Sequence, residues 1–158
     1  MKKLLLLSFL LPLMLLSCRA SSDDRKGLKG DKNIVKKEFT ISEYDRIVLN
    51  SSYNVVYEQR DSPTSVLTVE LDENLMSYVE AKVKDKKLYL NLKDGFNIKP
   101  TKFVIYTNSA DLKNVTLSGA GNFKANKKVK LDNLKIELSG AGNINFDDLE
   151  VQTIDCGL

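Results

Sequence analysis

Leu117-Ser118-Gly119-Ala120-Gly121-Asn122 is a hexapeptide that the chain repeats unchanged 21 residues later, as Leu138-Ser139-Gly140-Ala141-Gly142-Asn143. Each copy follows an alternating apolar segment, Val115-x-Leu117 or Ile136-x-Leu138, which is typical of a β-strand. The small residues and the Asn then mark a tight turn. A strand and a turn that recur at a fixed interval indicate one unit of a stacked β-structure.

Weaker copies of this pattern occur elsewhere in the chain. Ile47-x-Leu49 leads to Asn54-Val55, and Leu90-x-Leu92 leads to Asn97-Ile98, whereas Val69-x-Leu71 has Met76 where Asn is expected. The regular spacing favours the coils of an all-β solenoid, with about 20–22 residues per coil, over the hairpins of a sandwich. The repeat leucines are Leu49, Leu71, Leu92, Leu117, Leu138 and Leu158.

Stacking by itself accounts for the composition of the hexapeptide. Equivalent residues of stacked coils lie roughly 4.8 Å apart, so leucines would fill the interior and Asn122 could exchange amide hydrogen bonds with Asn143. The glycines would keep the corner thin and permit positive φ. A phosphate-binding glycine loop needs a following helix, and a calcium-binding β-roll needs an Asp in the motif; neither is present. We therefore predict a structural role for both copies.

Residues 72–92 allow two local structures. Leu75, Met76, Val79 and Val83 are spaced as in a short helical turn, which would interrupt the stack. Residues 84–87 also resemble a hairpin turn between apolar strands at 79–83 and 88–92. The helical turn and the hairpin can both be present if hairpins project from the first coils of the solenoid.

The N-terminus predicts an exported lipoprotein. Lys2 and Lys3 precede an apolar run that is too short for a comfortable membrane span, so residues 1–17 resemble a lipoprotein signal peptide that ends at a lipidated Cys18. The alternative is a plain signal peptide with an incidental Cys. Residues 18–34 are polar and predict a flexible tether. Arg19 after the Cys favours the outer membrane, and Asp23-Asp24 resembles a surface-export signal.

Charge argues against a nucleic-acid partner. The formal charge of +3 falls to +1 when the two lysines of residues 1–17 are removed with the signal peptide, and a nucleic-acid-binding protein would need a clustered basic face. The lysines at 124, 127, 128 and 130 do cluster, but Asp147 and Asp148 come one repeat later and would oppose them. Cys156 falls on the apolar phase of the last strand, where we expect a small buried side chain.

The sequence offers no catalytic, metal-binding or cofactor-binding residues. The chain has no His, which removes the usual general base and a common metal ligand. The adjacent carboxylates Asp72-Glu73 and Asp147-Asp148 would point to opposite sides of a strand, so neither pair predicts a catalytic pair.

The lipobox, the β-rich region from Phe39-x-Ile41 and the Leu-Ser-Gly-Ala-Gly-Asn repeats resemble the putative auto-transporter adhesin, head GIN domain family (DUF2807), which is common in Bacteroidetes envelope lipoproteins. The resemblance implies a right-handed parallel β-helix over residues 35–158, with no catalytic residue to transfer. Family domains continue through further coils, so the resemblance also implies a domain cut short at its C-terminus. An uncapped last coil would then favour self-association.

These features together favour a non-enzymatic cell-envelope lipoprotein that acts in adhesion, binding or scaffolding. Its partners would be the membrane, through Cys18, and a protein or glycan. The surface between the corners would carry the binding site. Two alternatives stay open: a carbohydrate-active β-helix that binds, cleaves or hydrolyses polysaccharide, and a periplasm-facing structural or stress-response protein.

Overall fold

The computed structural model of the chain describes residues 27–61, 64–93 and 96–157. The predicted signal peptide and the predicted lipidation site at Cys18 lie outside these residues. The first described strand falls within the predicted tether. The strands are β1 (Leu28–Lys29), β2 (Ile34–Ile41), β3 (Arg46–Leu49), β4 (Asn54–Gln59), β5 (Ser65–Asp72), β6 (Val79–Lys84), β7 (Lys87–Leu92), β8 (Ile98–Lys99), β9 (Phe103–Ser109), β10 (Asn114–Leu117), β11 (Asn122–Leu138) and β12 (Asn143–Gly157).

Ten of the described strands form one mixed sheet that nearly closes into a barrel. Its order is β2-β5-β9-β4-β11-β10-β3-β7-β6, and β12 pairs with the free side of β11. The long strand β11 joins the strands β2-β5-β9-β4 to the strands β10-β3-β7-β6. Its residues Asn122–Ala125 pair with β4, and its residues Lys135–Leu138 pair with β10. The short strands β1 and β8 form a separate parallel pair.

The predicted right-handed parallel β-helix is wrong. The pairs β2–β5, β5–β9 and β6–β7 are antiparallel, so the chain reverses direction within the sheet instead of winding in uniform coils. Leu71 pairs with Val35 and Phe103 in antiparallel register, not with the other repeat leucines. In the copy at residues 90–92, Leu90 is the register partner of Leu49. Apolar alternation is common to parallel and antiparallel strands, which is why the pattern misled.

Parallel stacking is present where the hexapeptide occurs. Leu117 lies between Leu49 and Leu138 in register, although Leu49 is far away in sequence. At the next corner Asn122 lies between Asn54 and Asn143. Its Nδ2 donates to Oδ1 of Asn54 at 2.8 Å, and Nδ2 of Asn143 donates to Oδ1 of Asn122 at 2.9 Å. The asparagines thus form a hydrogen-bonded ladder along the sheet.

The glycines of the hexapeptide are required by close stacking and not by positive φ. None of the four has φ in the left-handed region, so that part of the expectation is wrong. A Cβ on Gly121 would overlap the carbonyl oxygen of Tyr53, and one on Gly142 would overlap that of Gly121. The corners lie so close together that a side chain on either residue would meet neighbouring backbone.

The local prediction for residues 72–92 is confirmed in both of its forms. A 3₁₀ helix at Glu73–Tyr78 buries Leu75 and Met76. Strands β6 and β7 then form an antiparallel hairpin whose turn residues Asp85 and Lys86 have φ of 51° and 59°. Two consecutive positive φ values are typical of the type I′ turn, whose twist matches that of a hairpin.

A single core fills the space inside the sheet. Buried leucines, isoleucines and valines from both halves meet there, and a row of aromatic rings runs from Tyr57 through Phe123 to Phe146, with centroids 5.8 and 5.4 Å apart. Cys156 is exposed, so its predicted burial is wrong. Within the described chain β12 pairs only with β11, and no further strand covers its last residues.

Candidate functional site

A groove of about 450 Å³ lies on the outward face of β2, β5, β9 and β4, and we call it the outer groove. Apolar, hydroxyl, amide, aromatic and charged side chains share its surface. Its lining residues are Glu38, Val56, Glu58, Arg60, Val66, Thr68, Tyr106, Thr107 and Asn108.

Strand alternation sends most of these side chains outward, whereas Thr107 is buried on the same side of β9 as Ile105. In β4, Val55 and Tyr57 are buried in the core, so the intervening Val56 and the following Glu58 face the groove. In β9, the buried Ile105 places Tyr106 on the outer side. The groove is therefore a consequence of the pairing of β4 with β9 and of β9 with β5.

Tyr106 is held in one position at the groove by charged neighbours. Its hydroxyl donates to Oε2 of Glu70 at 3.0 Å, and Nζ of Lys102 lies 2.8 Å from Oε1 of the same carboxylate. Nζ of Lys36 lies 5.4 Å from the centroid of the Tyr106 ring, within the range of a cation–π contact. These contacts present the aromatic ring as a fixed surface with little rotational freedom.

Neighbouring charges and burial keep Glu70 and Tyr106 in their ordinary charge states. The hydrogen bond from Lys102 lowers the pKa of Glu70, with a further contribution from the Tyr106 hydroxyl. Burial, followed by the hydrogen bond to Glu70, raises the pKa of Tyr106. The phenol is therefore neutral and the carboxylate ionised across the physiological range.

At the other end of the groove, Glu58 carries a second set of ion pairs. Its carboxylate lies 2.7 Å from Nζ of Lys127 and 3.1 Å from Nη2 of Arg60. Hydrogen bonds from Lys127 and then Arg60 lower the pKa of Glu58. In the floor, Oδ1 of Asn108 accepts a hydrogen bond of 2.7 Å from the backbone N–H of Val66, which fixes the amide.

This chemistry suits recognition better than proton transfer. Glycosidases need one carboxyl group with a raised pKa as the acid, but the pKa values of Glu58 and Glu70 are both lowered by cationic partners. The amide of Asn108, the carboxylates and the guanidinium can hydrogen-bond to hydroxyls, and the ring of Tyr106 can stack on a flat apolar surface.

A smaller cavity of about 110 Å³ lies between the loops near Tyr44 and Ala110. Asp45 and Asp111 both reach it, and Nζ of Lys113 lies 3.7 and 3.4 Å from their carboxylates. Below it, the buried hydroxyl of Tyr44 hydrogen-bonds with Thr107 Oγ1 at 2.8 Å. Burial raises the pKa of nearby Tyr57 to about 12. Lys113 already pairs with both carboxylates and Arg46 with Asp45, and the tyrosines act as core residues whose hydroxyls have hydrogen-bond partners.

The residues predicted from the sequence lie elsewhere. The two hexapeptides form corners of the sheet, and none of their residues lines the outer groove. Asp147 lies 3.4 Å from Lys124, and Glu150 pairs with Lys128 and Lys130, so the lysine cluster is opposed by acids as its sequence suggested. Asp72 is buried, and its carboxylate accepts hydrogen bonds from backbone N–H groups.

Sequence reasoning missed Tyr106, Glu70 and Glu58. The alternation within Phe103–Ser109 and Ser65–Asp72 does place Tyr106 and Glu70 opposite the core residues, so their outward orientation was available. The sequence did not show that Tyr106 and Glu70 lie close together, because their proximity depends on the antiparallel pairing of β5 with β9.

Among residues 27–61, 64–93 and 96–157, no group of three or more His, Cys, Asp or Glu side chains is arranged to hold a metal ion. Over the same ranges, no helix has the length and apolar character needed to span a membrane.

Comparison with known proteins decides the family. The family model for "Putative auto-transporter adhesin, head GIN domain" matches residues 43–158, which is most of the chain. The chain belongs to this family. The resemblance of the hexapeptide repeats to head GIN proteins is thus confirmed, whereas the fold expected from that resemblance is corrected above. No functionally curated protein matches the chain.

Solved structures similar to the chain include proteins from Bacteroides and Parabacteroides species. The chain is 23% identical to a putative adhesin from Bacteroides fragilis, with a TM-score of 0.76, covering 82% of this chain and 60% of that one. It is 27% identical to a putative lipid binding protein from Parabacteroides distasonis, with a TM-score of 0.72, covering 83% and 65%. It is 29% identical to a putative adhesin from the same species, with a TM-score of 0.69, and the match covers 81% of this chain and 62% of that one. The chain therefore spans less than two thirds of these relatives.

Proposed function

We propose that this head GIN protein is a non-enzymatic adhesion module of the cell envelope that binds a glycan in the outer groove. The observation that carries the proposal is the fixed aromatic ring of Tyr106, which Glu70 and Lys36 hold beside the polar side chains of the groove. A sugar ring offers a flat apolar face for stacking and hydroxyls around its rim. In the groove, the ring of Tyr106 can stack on the apolar face of the sugar, and the polar side chains can hydrogen-bond to its hydroxyls.

Rigidity supports a binding role for this surface. Groups that are already held in place lose little conformational entropy when a ligand arrives, so more of the interaction energy contributes to affinity. The ion pairs of Glu58 and Glu70 and the hydrogen bond of Asn108 provide this order before any ligand binds. The similar structure of a putative adhesin from Parabacteroides distasonis agrees with a binding module.

The proposal includes the location predicted from the N-terminus. Acylation of Cys18 would attach the mature chain to the outer membrane, and an adhesion role requires display at the cell surface. Protease treatment and labelling of intact cells test this point. Cleavage or labelling of the domain is expected, and complete protection would instead support the periplasm-facing alternative.

A glycan array followed by a turnover assay on the same polysaccharides tests the function. We expect retention of one or more glycans by the wild-type chain, with no release of shorter products. Product release that is abolished by Glu58→Gln or Glu70→Gln, with binding retained, would establish the carbohydrate-active alternative. Absence of any retained glycan would remove the proposed ligand class.

A further inference from the structure

The hydrogen-bonded asparagines Asn54, Asn122 and Asn143, which we call the asparagine ladder, lie next to the outer groove on the same face of the sheet. On β4, Asn54 and Val56 flank the buried Val55, so both face outward, and Val56 lines the groove. Asn122 on β11 and Asn143 on β12 are the next register partners along the sheet. All three asparagines are exposed. The ladder therefore continues the surface of the groove across two more strands.

Two rows of outward side chains cross the strands β9, β4, β11 and β12 side by side. The register partners of the first row are Tyr106, Val56, Lys124 and Asn145. Those of the second row are Val104, Asn54, Asn122 and Asn143. Neighbouring strands lie about 4.8 Å apart, so each row spans three such spacings, or about 14 Å. The two rows thus join the fixed ring of the groove to a series of amides.

The asparagine ladder orders its amides and leaves part of each amide available. Nδ2 of Asn122 donates to Asn54, and Nδ2 of Asn143 donates to Asn122, so neighbours fix the orientation of each side chain. An amide has two N–H donors and two acceptor lone pairs, so each asparagine keeps at least one donor and one acceptor for another partner. Hydrogen bonds between exposed amides add little net stability, because water competes for the same groups. The ordered amides therefore offer a repeating set of polar contacts at the spacing of the strands.

Charges of both signs surround the two rows, and most of them are paired with each other. The ion pairs are Lys124 with Asp147, Glu58 with Lys127 and Arg60, Glu70 with Lys102, and Glu150 with Lys128 and Lys130. Lys36 and Glu38, on β2 at the far side of the groove, also differ in sign. Such a balanced surface favours an uncharged ligand over an anionic or a cationic one.

From these observations we propose that the glycan is an extended, uncharged polysaccharide that lies across the strands, from the outer groove along the asparagine ladder. The inference rests on the proposed function and adds the shape and direction of the ligand. An extended β-1,4-linked pyranose chain advances per sugar by a distance close to the strand spacing, so successive sugars would meet equivalent positions on successive strands. One sugar would stack on Tyr106, and the following sugars would hydrogen-bond to the amides. A single terminal sugar would contact the groove and not the ladder.

The length of the oligosaccharide tests whether the site continues beyond the groove. Calorimetric titration compares disaccharides with hexasaccharides of the cello-, xylo-, manno- and N-acetylchito- series, which are all extended and uncharged. In at least one series the hexasaccharide should bind about tenfold or more tightly than the disaccharide. Malto-oligosaccharides of the same lengths are the matched control, because their α-1,4 linkages curl the chain, and they should gain little. Equal affinity for short and long extended chains, or an equal gain in the malto- series, would overturn the inference.

Variants of the asparagine ladder locate the additional contacts. Asn122→Ala and Asn143→Ala should each weaken hexasaccharide binding about tenfold and leave disaccharide affinity as in the wild type, because only the longer chain reaches the amides. Asn133→Ala, at another exposed asparagine further along β11, is the matched control and should change neither affinity. Circular dichroism verifies that each variant is folded.

The outcomes distinguish this inference from the proposed function. Wild-type hexasaccharide affinity in the folded ladder variants, or an equal loss for short and long chains, would overturn the inference and leave binding in the groove intact. Wild-type affinity of Tyr106→Ala for both lengths would overturn the proposed function instead. Absence of binding by every hexasaccharide tested would overturn both.

Discussion

At the scale of single residues, Asp72 has the clearest structural role. Its side chain is fully buried, yet it remains ionisable because it accepts backbone hydrogen bonds from Lys32 at 2.8 Å and Thr101 at 2.7 Å. Gly30 lies so close that a Cβ there would overlap the carboxylate. Asp72 therefore ties the N-terminal segment and the loop before β9 to the end of β5.

The pKa of Asp72 predicts how stability depends on pH. Burial acts to raise the pKa, but the hydrogen bonds from Thr101 and Lys32 outweigh it and hold the pKa below its ordinary value of 3.8. A carboxyl whose pKa is lowered by folding contributes stability above that ordinary value and loses it as pH falls through the folded-state pKa. The free energy of unfolding, measured in urea at a series of pH values from about 7 to about 2, should show this loss.

Removal of the Asp72 carboxylate should destabilise the fold at neutral pH. Asp72→Ala leaves two buried N–H groups without an acceptor, so we expect the free energy of unfolding to fall by about 3 kcal/mol. Asp132→Ala, at an exposed carboxylate that accepts from Gln152, should change it by less than about 1 kcal/mol. Similar values for the two variants in urea titrations would contradict the assigned role.

The corner glycines support a second residue-scale prediction. Gly121→Ala places a methyl group against the carbonyl oxygen of Tyr53, and backbone cannot move away as a flexible side chain could. We expect a loss of about 3 kcal/mol or more. Gly157→Ala meets no atom closer than 3.9 Å and is the matched control, with little change in melting temperature. A tolerated Gly121→Ala would show that the corners are less closely stacked than described.

At the scale of elements, the sequence predicts local structure better than pairing. The 3₁₀ turn, the β6–β7 hairpin and the stacking of residues 117–122 on 138–143 all follow from local pattern and exact repetition. The position of β5 does not. Val69 and Leu71 alternate as any strand would, and nothing local shows that β5 runs antiparallel between β2 and β9. The outer groove depends on that placement, so it was missed with it.

The strand β12 is an edge of the described sheet, and this supports a prediction about association. Along its outer side no described strand pairs with it, and Ile154 is 48% exposed. Such an edge favours pairing with another chain. We expect concentration-dependent self-association in analytical ultracentrifugation, reduced by Ile154→Lys. A wild-type chain that is monomeric at high concentration would argue against association through β12.

At the scale of the whole molecule, the nearly closed sheet is the rigid support for the outer groove. The groove lies across β2, β5, β9 and β4, and we propose that it binds a glycan. The family to which the chain belongs, described as a putative auto-transporter adhesin, is consistent with such a binding module.

Calorimetric titration of a glycan retained on the array tests the central claim most directly. Tyr106→Ala removes the fixed ring from the groove. Tyr89→Ala is the matched control because its ring also lies beside a lysine, with Lys87 Nζ 5.8 Å from the ring centroid. Tyr89 lies on β7, which contributes no residue to the groove lining. Our account predicts at least about tenfold weaker binding for Tyr106→Ala and wild-type affinity for Tyr89→Ala. Unchanged affinity for a folded Tyr106→Ala variant would contradict it.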